Sequence, residues 1–179
     1  MKKILAIAGS NSKSSINRQL VHYAADKLED VDISLLDMND FELPIYSPDV
    51  EKESGIPQSA HTFMELIINA DAVILSLAEY NGLHAAAFKN LWDWASRIQM
   101  NIWADTPMLL MAASPGGRGG MNVLRVSKEL FPHFGGNIVA DFSMPNFYDN
   151  FANGKITNPD LEAQLLTAVN QLNESITNN

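Results

Sequence analysis

The sequence predicts an α/β fold: a doubly wound, five-stranded parallel sheet in the order 2-1-3-4-5, with helices on both faces. Two observations carry that prediction. Five short apolar, partly β-branched runs alternate with longer amphipathic stretches, the pattern of a parallel sheet covered on both sides by helices. In addition, 179 residues with 46% hydrophobic content suit one compact domain over residues 1–179, large enough to bury a full core. No internal repeat or low-complexity tract divides it.

The elements follow in order. Lys3–Ala8 is the first strand, and Asn17–Glu29 has helical spacing after it. Asp32–Leu36 is the second strand. Proline and acidic residues gather between Asp37 and Pro57, which predicts a surface loop with little regular structure. Helical spacing over Gln58–Asn69 leads into Ala72–Leu77, a strand apolar throughout except for Ser76. Ala85–Ile98 is a helix, Met108–Ala113 the fourth strand, Asn122–Phe131 a helix and Asn137–Phe142 the fifth strand. A second loop is expected from Ser143 to Asn158, and Pro159-Asp160 opens a last helix over Leu161–Ile176.

Composition removes several classes of function. The apolar runs are far shorter than the ~20 residues of a membrane span. Lys2-Lys3 and Ile4–Ala8 imitate the start of a signal peptide, but Gly9-Ser10-Asn11-Ser12-Lys13 ends the run too soon, so a cytoplasmic protein is expected. No cysteine is present, which excludes disulfides, thiolate metal sites and a cysteine nucleophile; no metal site is expected. A net charge of −9 argues against nucleic acid and anionic membrane as partners, since both select positive surface. Any bound phosphate must then be held by local donors.

In a doubly wound sheet of this order, ligands bind beyond the carboxyl ends of strands 1 and 3, where the winding reverses. That singles out three loops before any motif is sought. Gly9-Ser10-Asn11-Ser12-Lys13-Ser14-Ser15-Ile16-Asn17 places four hydroxyls and two amides between a strand end and a helix start. Free N–H groups there carry partial positive charge, and short hydroxyl side chains donate to phosphate oxygens without blocking them. A plainer reading is a serine cap with solvated turn residues. Ala78-Glu79-Tyr80-Asn81-Gly82 brings an aromatic for a planar ring, an amide and a glycine to the same end of the sheet, or else forms a tight turn with a packing tyrosine. Ser114-Pro115-Gly116-Gly117-Arg118-Gly119-Gly120 exposes backbone amides suited to the polar edge of a heterocycle, or is simply a flexible connection with a solvated Arg118. Neither G-x-G-x-x-G nor G-x-x-x-x-G-K-[ST] occurs, which sets aside the dinucleotide fingerprint and the P-loop.

At these loops the chain resembles the NADPH-dependent FMN reductase family of flavodoxin-like proteins, which includes quinone, azo-dye and chromate reductases. The resemblance rests on the Gly-Ser start with Ser15 and Asn17, on Glu79-Tyr80-Asn81-Gly82 followed by Phe88-Lys89-Asn90 and Asp93-Trp94, and on the Ser-Pro-Gly-Gly-Arg-Gly-Gly loop. It implies a flavodoxin-like fold and bound FMN, with NADPH or NADH as co-substrate and a small-molecule electron acceptor. It further implies that Ser10, Ser12, Ser15, Ile16 and Asn17 bind the phosphate, while Ala78 to Gly82 and Ser114, Pro115, Gly116 and Gly117 border the flavin ring. Two positions depart from the family: Ser12 stands where arginine is common, and Ala78 where proline is common. Lys13 or Arg18 is the candidate replacement for the missing cation.

No side-chain general acid stands out, so no catalytic residue is assigned and orientation with electrostatics is expected to carry the reaction. Three alternatives stand beside this reading: a flavodoxin-type electron carrier, a flavin-keeping regulatory protein, and a serine hydrolase using Ser10. The last is disfavoured because His22, His61, His84 and His133 lie in or near predicted helices, without the Asp-x-x-His of such enzymes. A homodimer or homotetramer is expected. Its contact is placed at Leu91, Trp92, Trp94 and the segment Ile98 to Trp103, because aromatics on two faces of one helix suggest a second buried surface.

Overall fold

The computed structural model describes residues 1–177. Its parallel strands are β1 (Lys2–Gly9), β2 (Val31–Leu36), β3 (Ala72–Tyr80), β5 (Pro107–Ala113) and β6 (Asn137–Met144), in the order β2-β1-β3-β5-β6. A two-residue strand, β4 (Leu83–His84), pairs antiparallel with the end of β3. The sheet is thus six-stranded, and differs in this detail from the five-stranded 2-1-3-4-5 expectation. The helices are α1 (Ile16–Ala25), α2 (Pro48–Ser54), α3 (Gln58–Ile68), α4 (Ala86–Ile98), α5 (Met121–Leu130), α6 (Phe147–Asn150) and α7 (Pro159–Thr177), and a further small hairpin is formed by β7 (Phe151–Ala152) and β8 (Lys155–Ile156).

Period-two alternation along the strands builds two cores. Ile4, Ala6, Ile74, Leu109 and Met111 face α1 and α7, where they meet Leu20, Leu165 and Leu172. Leu5, Ile7, Leu75, Leu77 and Leu110 face α3, α4 and α5, where they meet Phe63, Phe88 and Leu91. The central strands β1, β3 and β5 are buried on both sides, which is why they read as continuous apolar runs.

Four sequence expectations are corrected. The 37–57 stretch is not mostly irregular: it contains a short 3-10 turn over Met38–Asp40 and helix α2, capped by Ser47 with Pro48 in its first turn. Proline there starts a helix, because its missing N–H would be unpaired in that turn in any case. The 143–158 stretch likewise contains α6 and the β7–β8 hairpin. Both hairpins turn on Asn-Gly, with Asn81 and Gly82 at φ 52° and 83° and Asn153 and Gly154 at φ 52° and 75°, as a type I′ turn requires. Helix α1 ends at Ala25 rather than Glu29.

The fourth correction concerns the tryptophans. Leu91, Trp92, Trp94, Ile102 and Trp103 are all buried within one chain, so their burial does not require a second subunit. The second face of α4 is covered by the segment after β2. The Trp94 indole N–H donates to Pro44 O at 2.7 Å, Tyr46 packs edge-on against Trp94 with ring centroids 5.0 Å apart, and Asn90 holds Pro44 O and Tyr46 N with its amide. Asn90 and Trp94 of the family pattern therefore serve as a clamp for residues 44–46.

Candidate functional site

Register places the three loops together. Gly9 pairs with Leu77, and Ala78 with Ala113, so β1, β3 and β5 release their chains at one level. Between them lies a cleft of about 200 Å3 lined by Ser10, Ser12, Ser14, Ser15, Ile16, Asn17, Ala78, Glu79, Tyr80, Ala113, Ser114, Pro115 and Tyr148. Ten of the residues singled out from the sequence meet here. Asn81, Gly82, Gly116 and Gly117 do not line it. Ser14, counted among the loop's four hydroxyls but not named as a ligand, lines it too, as do Ala113 and Tyr148; Tyr148 carries no local signal, because only the return of β6 brings it to the cleft.

The serine loop is folded by its own hydroxyls. Ser10 Oγ accepts from Ser12 N at 3.2 Å, and Ser15 Oγ caps α1 by accepting from Arg18 N at 3.2 Å. Each hydroxyl is engaged as an acceptor in these bonds, which leaves its proton to donate. Ser12 Oγ and Ser14 Oγ lie 3.4 Å apart. The N–H groups of Ile16 and Asn17, in the first turn of α1, add the positive end of the helix.

Asn17 has a different role from the one expected. Its side chain is buried and committed: Oδ1 accepts from Ser76 Oγ at 2.7 Å and Ala113 N at 2.9 Å, and Nδ2 donates to Ala113 O at 3.3 Å. The amide binds α1 to β3 and β5, with one Nδ2 proton outside these bonds. Arg18 is committed as well, 2.8 Å from Asp37 Oδ2. The Asp37 carboxyl is held below its usual range, first by the backbone N–H of Asn39 and then by the Asn39 side chain, with Arg18 adding to both. Lys13 is the remaining cation of the loop, and it is exposed.

The second loop is pinned to α5. Glu79 Oε2 accepts from the backbone N–H of both Asn122 and Val123 at 2.9 Å, a helix cap supplied from another element. Further along, Ser127 Oγ donates to Val123 O at 2.7 Å, so the His84 Nε2–H donates to Ser127 Oγ at 2.8 Å. The imidazole is sandwiched by Phe88 and Phe131 and met edge-on by Trp92. Burial pushes its pKa down to about 4, with Lys89 adding to the effect, and it is neutral at pH 7. Between the two pins stands Tyr80, 55% exposed.

The glycine-rich loop is propped from β6. Asn146 N donates to Gly116 O at 3.0 Å, Phe147 N to Ser114 O at 3.1 Å and Ser143 Oγ to Gly119 O at 3.0 Å. Arg118 is exposed and donates to Asn122 Oδ1 at 3.0 Å.

The donor set fits a phosphate ester. Four hydroxyls and a helix start face the cleft, and its one carboxylate, Glu79, is already bonded to α5. Gly116 has open space within 4 Å of where a Cβ would stand, so the chain's own packing does not call for glycine there; a planar group lying against the loop would. A larger groove of about 640 Å3, lined by Tyr80, Leu83, His84, Trp92, Val126 and Phe134 among others, adjoins the cleft through Tyr80. It is mainly apolar and offers no such set of donors.

Known proteins resemble the chain in sequence and in fold. The family model described as NADPH-dependent FMN reductase matches residues 2–149. An NADPH:quinone oxidoreductase of Arabidopsis thaliana is 31% identical over 122 residues, which are 66% of this chain and 61% of that protein. The match therefore spans less than two thirds of the relative's length. A probable NADPH:quinone oxidoreductase 2 of Oryza sativa subsp. japonica is 28% identical over 172 residues, covering 91% of this chain and 83% of that protein. Among solved structures, the flavoenzyme NAD(P)H:(acceptor) oxidoreductase FerB from Paracoccus denitrificans superposes with a TM-score of 0.77 at 27% identity, covering 99% of this chain and 98% of that one. Three loops converging at the switch point of a doubly wound sheet and a family match over residues 2–149 lead to one conclusion: the chain belongs to the NADPH-dependent FMN reductase family.

Proposed function

We propose that this protein is an NAD(P)H-dependent, FMN-containing oxidoreductase that passes electrons to a small acceptor such as a quinone, an azo compound or free flavin. The observation that carries the reading is the meeting of the serine loop with Tyr80 and Ser114–Pro115 in one cleft, with no uncommitted carboxylate among its lining residues. Bound FMN would supply the hydride chemistry. The residues supply position: hydroxyls and N–H groups from Ser10 to Asn17 hold the phosphate, while Ala78 to Gly82 and Ser114 to Gly117 border the ring. His84 is occupied with Ser127 and does not line the cleft, so orientation rather than side-chain acid–base chemistry drives the reaction. The names of the quinone oxidoreductases from Arabidopsis and rice and of FerB support the acceptor class.

Purified protein should carry a flavin absorbance, release FMN on denaturation, and oxidise NADPH steadily with a quinone present. Bound FMN with no NADPH oxidation would overturn the activity in favour of an electron carrier. A colourless protein that takes up no FMN would overturn the reading of the cleft itself.

We further propose a cytoplasmic homo-oligomer whose contact is the groove between α4 and α5, which Trp92 lines, rather than Trp94 or Trp103. Tyr80, Leu83 and Leu130 are 55%, 55% and 40% exposed around the groove beside the cleft, and a second copy would cover this apolar patch. Light scattering should give a multiple of 19.7 kDa, reduced to the monomer by Leu83→Glu with Leu130→Glu. A wild-type monomer at micromolar concentration would overturn this.

A further inference from the structure

Tyr148 lies outside all three sequence loops, yet lines the cleft together with Ser10, Ser12, Ser14 and Ser15. It is 69% exposed, and its backbone is nonetheless held firmly. Phe147, next to it, is buried and stacked on Phe151 with ring centroids 4.7 Å apart. Asn150 Nδ2 donates to Pro145 O at 3.0 Å, and Thr157 N donates to Asn150 O at 2.8 Å. The N–H groups of Asn146 and Phe147 bond to the glycine-rich loop, so this segment and that loop form one wall. The Tyr148 ring meets Phe147 edge-on at 5.8 Å, and its hydroxyl has no hydrogen-bond partner among the described residues. An aromatic donor is thus fixed at the mouth of a cleft and left unused by the chain.

The serine hydroxyls and the start of α1 are the cleft's donors on the β1 side, and the larger polar side chains beside them are already bonded. The Asn17 amide is bonded to Ala113 and Ser76, and the Arg18 guanidinium is drawn to Asp37. In a chain of net charge −9, long-range attraction does not hold a phosphate, and each short-range donor counts.

We propose that Tyr148 is a cofactor-binding residue whose hydroxyl donates a hydrogen bond to the phosphate of FMN from the β6 side of the cleft. This rests on the reading of the cleft as an FMN site. The test is the dissociation constant of FMN and of riboflavin, read by quenching of flavin fluorescence, for the full chain and for Tyr148→Phe and Tyr148→Ala. Loss of a hydrogen bond to a charged group should weaken FMN binding by about 10- to 100-fold in Tyr148→Phe. Riboflavin, which lacks the phosphate, should bind that variant as it binds the wild type. Tyr148→Ala should lose at least as much FMN affinity. Because the side chain is exposed, the thermal melt of both apoproteins should stay where it is. Equal FMN affinity in wild type and Tyr148→Phe overturns the inference, and so does an equal loss for riboflavin and FMN. A wild type that binds neither flavin overturns the cofactor reading, and the inference falls with it.

Discussion

Asn17 and Ala113 pair through the asparagine side chain as two neighbouring strands pair through their backbones: Nδ2 donates to Ala113 O at 3.3 Å and Oδ1 accepts from Ala113 N at 2.9 Å. The amide is an inserted stitch between α1 and β5, with Ser76 of β3 donating to the same oxygen. Asn17→Ala leaves the Ala113 N–H, the Ala113 carbonyl and the Ser76 hydroxyl without their partner in a buried place. With roughly 1–3 kcal/mol for each buried group left unsatisfied and partial relief by water, the stability lost should be about 2–4 kcal/mol. Urea unfolding measures it; a loss below about 0.5 kcal/mol would contradict the stitch. Asn17→Asp should not rescue, because it removes the donor to Ala113 O and buries a charge.

Glu79 gives a second stability prediction with a built-in control. Glu79→Ala removes the cap from the Asn122 and Val123 N–H groups and should cost about 1–2 kcal/mol. Glu79→Gln keeps a carbonyl oxygen for them and should retain most of the stability. Equal destabilisation by both variants would mean that the charge, acting on the α5 dipole, matters more than the bonds.

His84 makes the fold sensitive to mild acid. Its pKa in the folded chain is pushed down to about 4, against about 6.5 when unfolded. Above about pH 7.5 the ring is neutral in both states and contributes no slope. Below that, the unfolded chain takes up a proton that the folded chain refuses until about pH 4, so stability falls as pH is lowered through this window. The effect should be of order 1–2 kcal/mol once solvent screening is allowed for. His84→Gln should flatten this part of the profile in urea melts run from pH 7 to pH 4. An unchanged slope would place the titration elsewhere.

Two glycines of one loop should behave oppositely. At Gly119 the backbone has φ 58°, and a Cβ would stand 2.9 Å from Pro145 N and 3.1 Å from the Met144 carbonyl carbon. Gly119→Ala should therefore cost about 2 kcal/mol or more. At Gly116 nothing lies within 4 Å, so Gly116→Ala should shift stability by less than about 0.5 kcal/mol. Its effect should instead be on FMN, where a methyl against the ring should weaken binding about tenfold or more. Stable protein with unaltered FMN affinity in Gly116→Ala would move the ring away from this loop.

The sheet and its main helices were legible because their signals are local and repeated: apolar runs such as Ala72–Leu77 announce buried strands, and amphipathic spacing announces the helices between them. The two Asn-Gly hairpins and the Ser47-Pro48 helix start were missed, because polarity and proline content made their surroundings look irregular even though each carries its own turn or cap chemistry. The positions of the three site loops also followed from strand order alone, since ligand sites in doubly wound sheets gather where the winding reverses.

What the sequence by itself determined was the fold class, the family resemblance and the end of the sheet that carries the candidate site, all of which depend on short-range pattern. Only the tertiary structure decided what each side chain does there. Asn17 looks like a ligand donor until Ala113, 96 residues away, takes its amide. Trp94 looks like an interface residue until Pro44 covers it. Glu79 turns to cap α5, and Tyr148 reaches the cleft only because β6 returns beside β5. In each case the partner is distant in sequence, and no periodicity or turn rule encodes which buried polar group will be satisfied by which; that is settled when the chain packs.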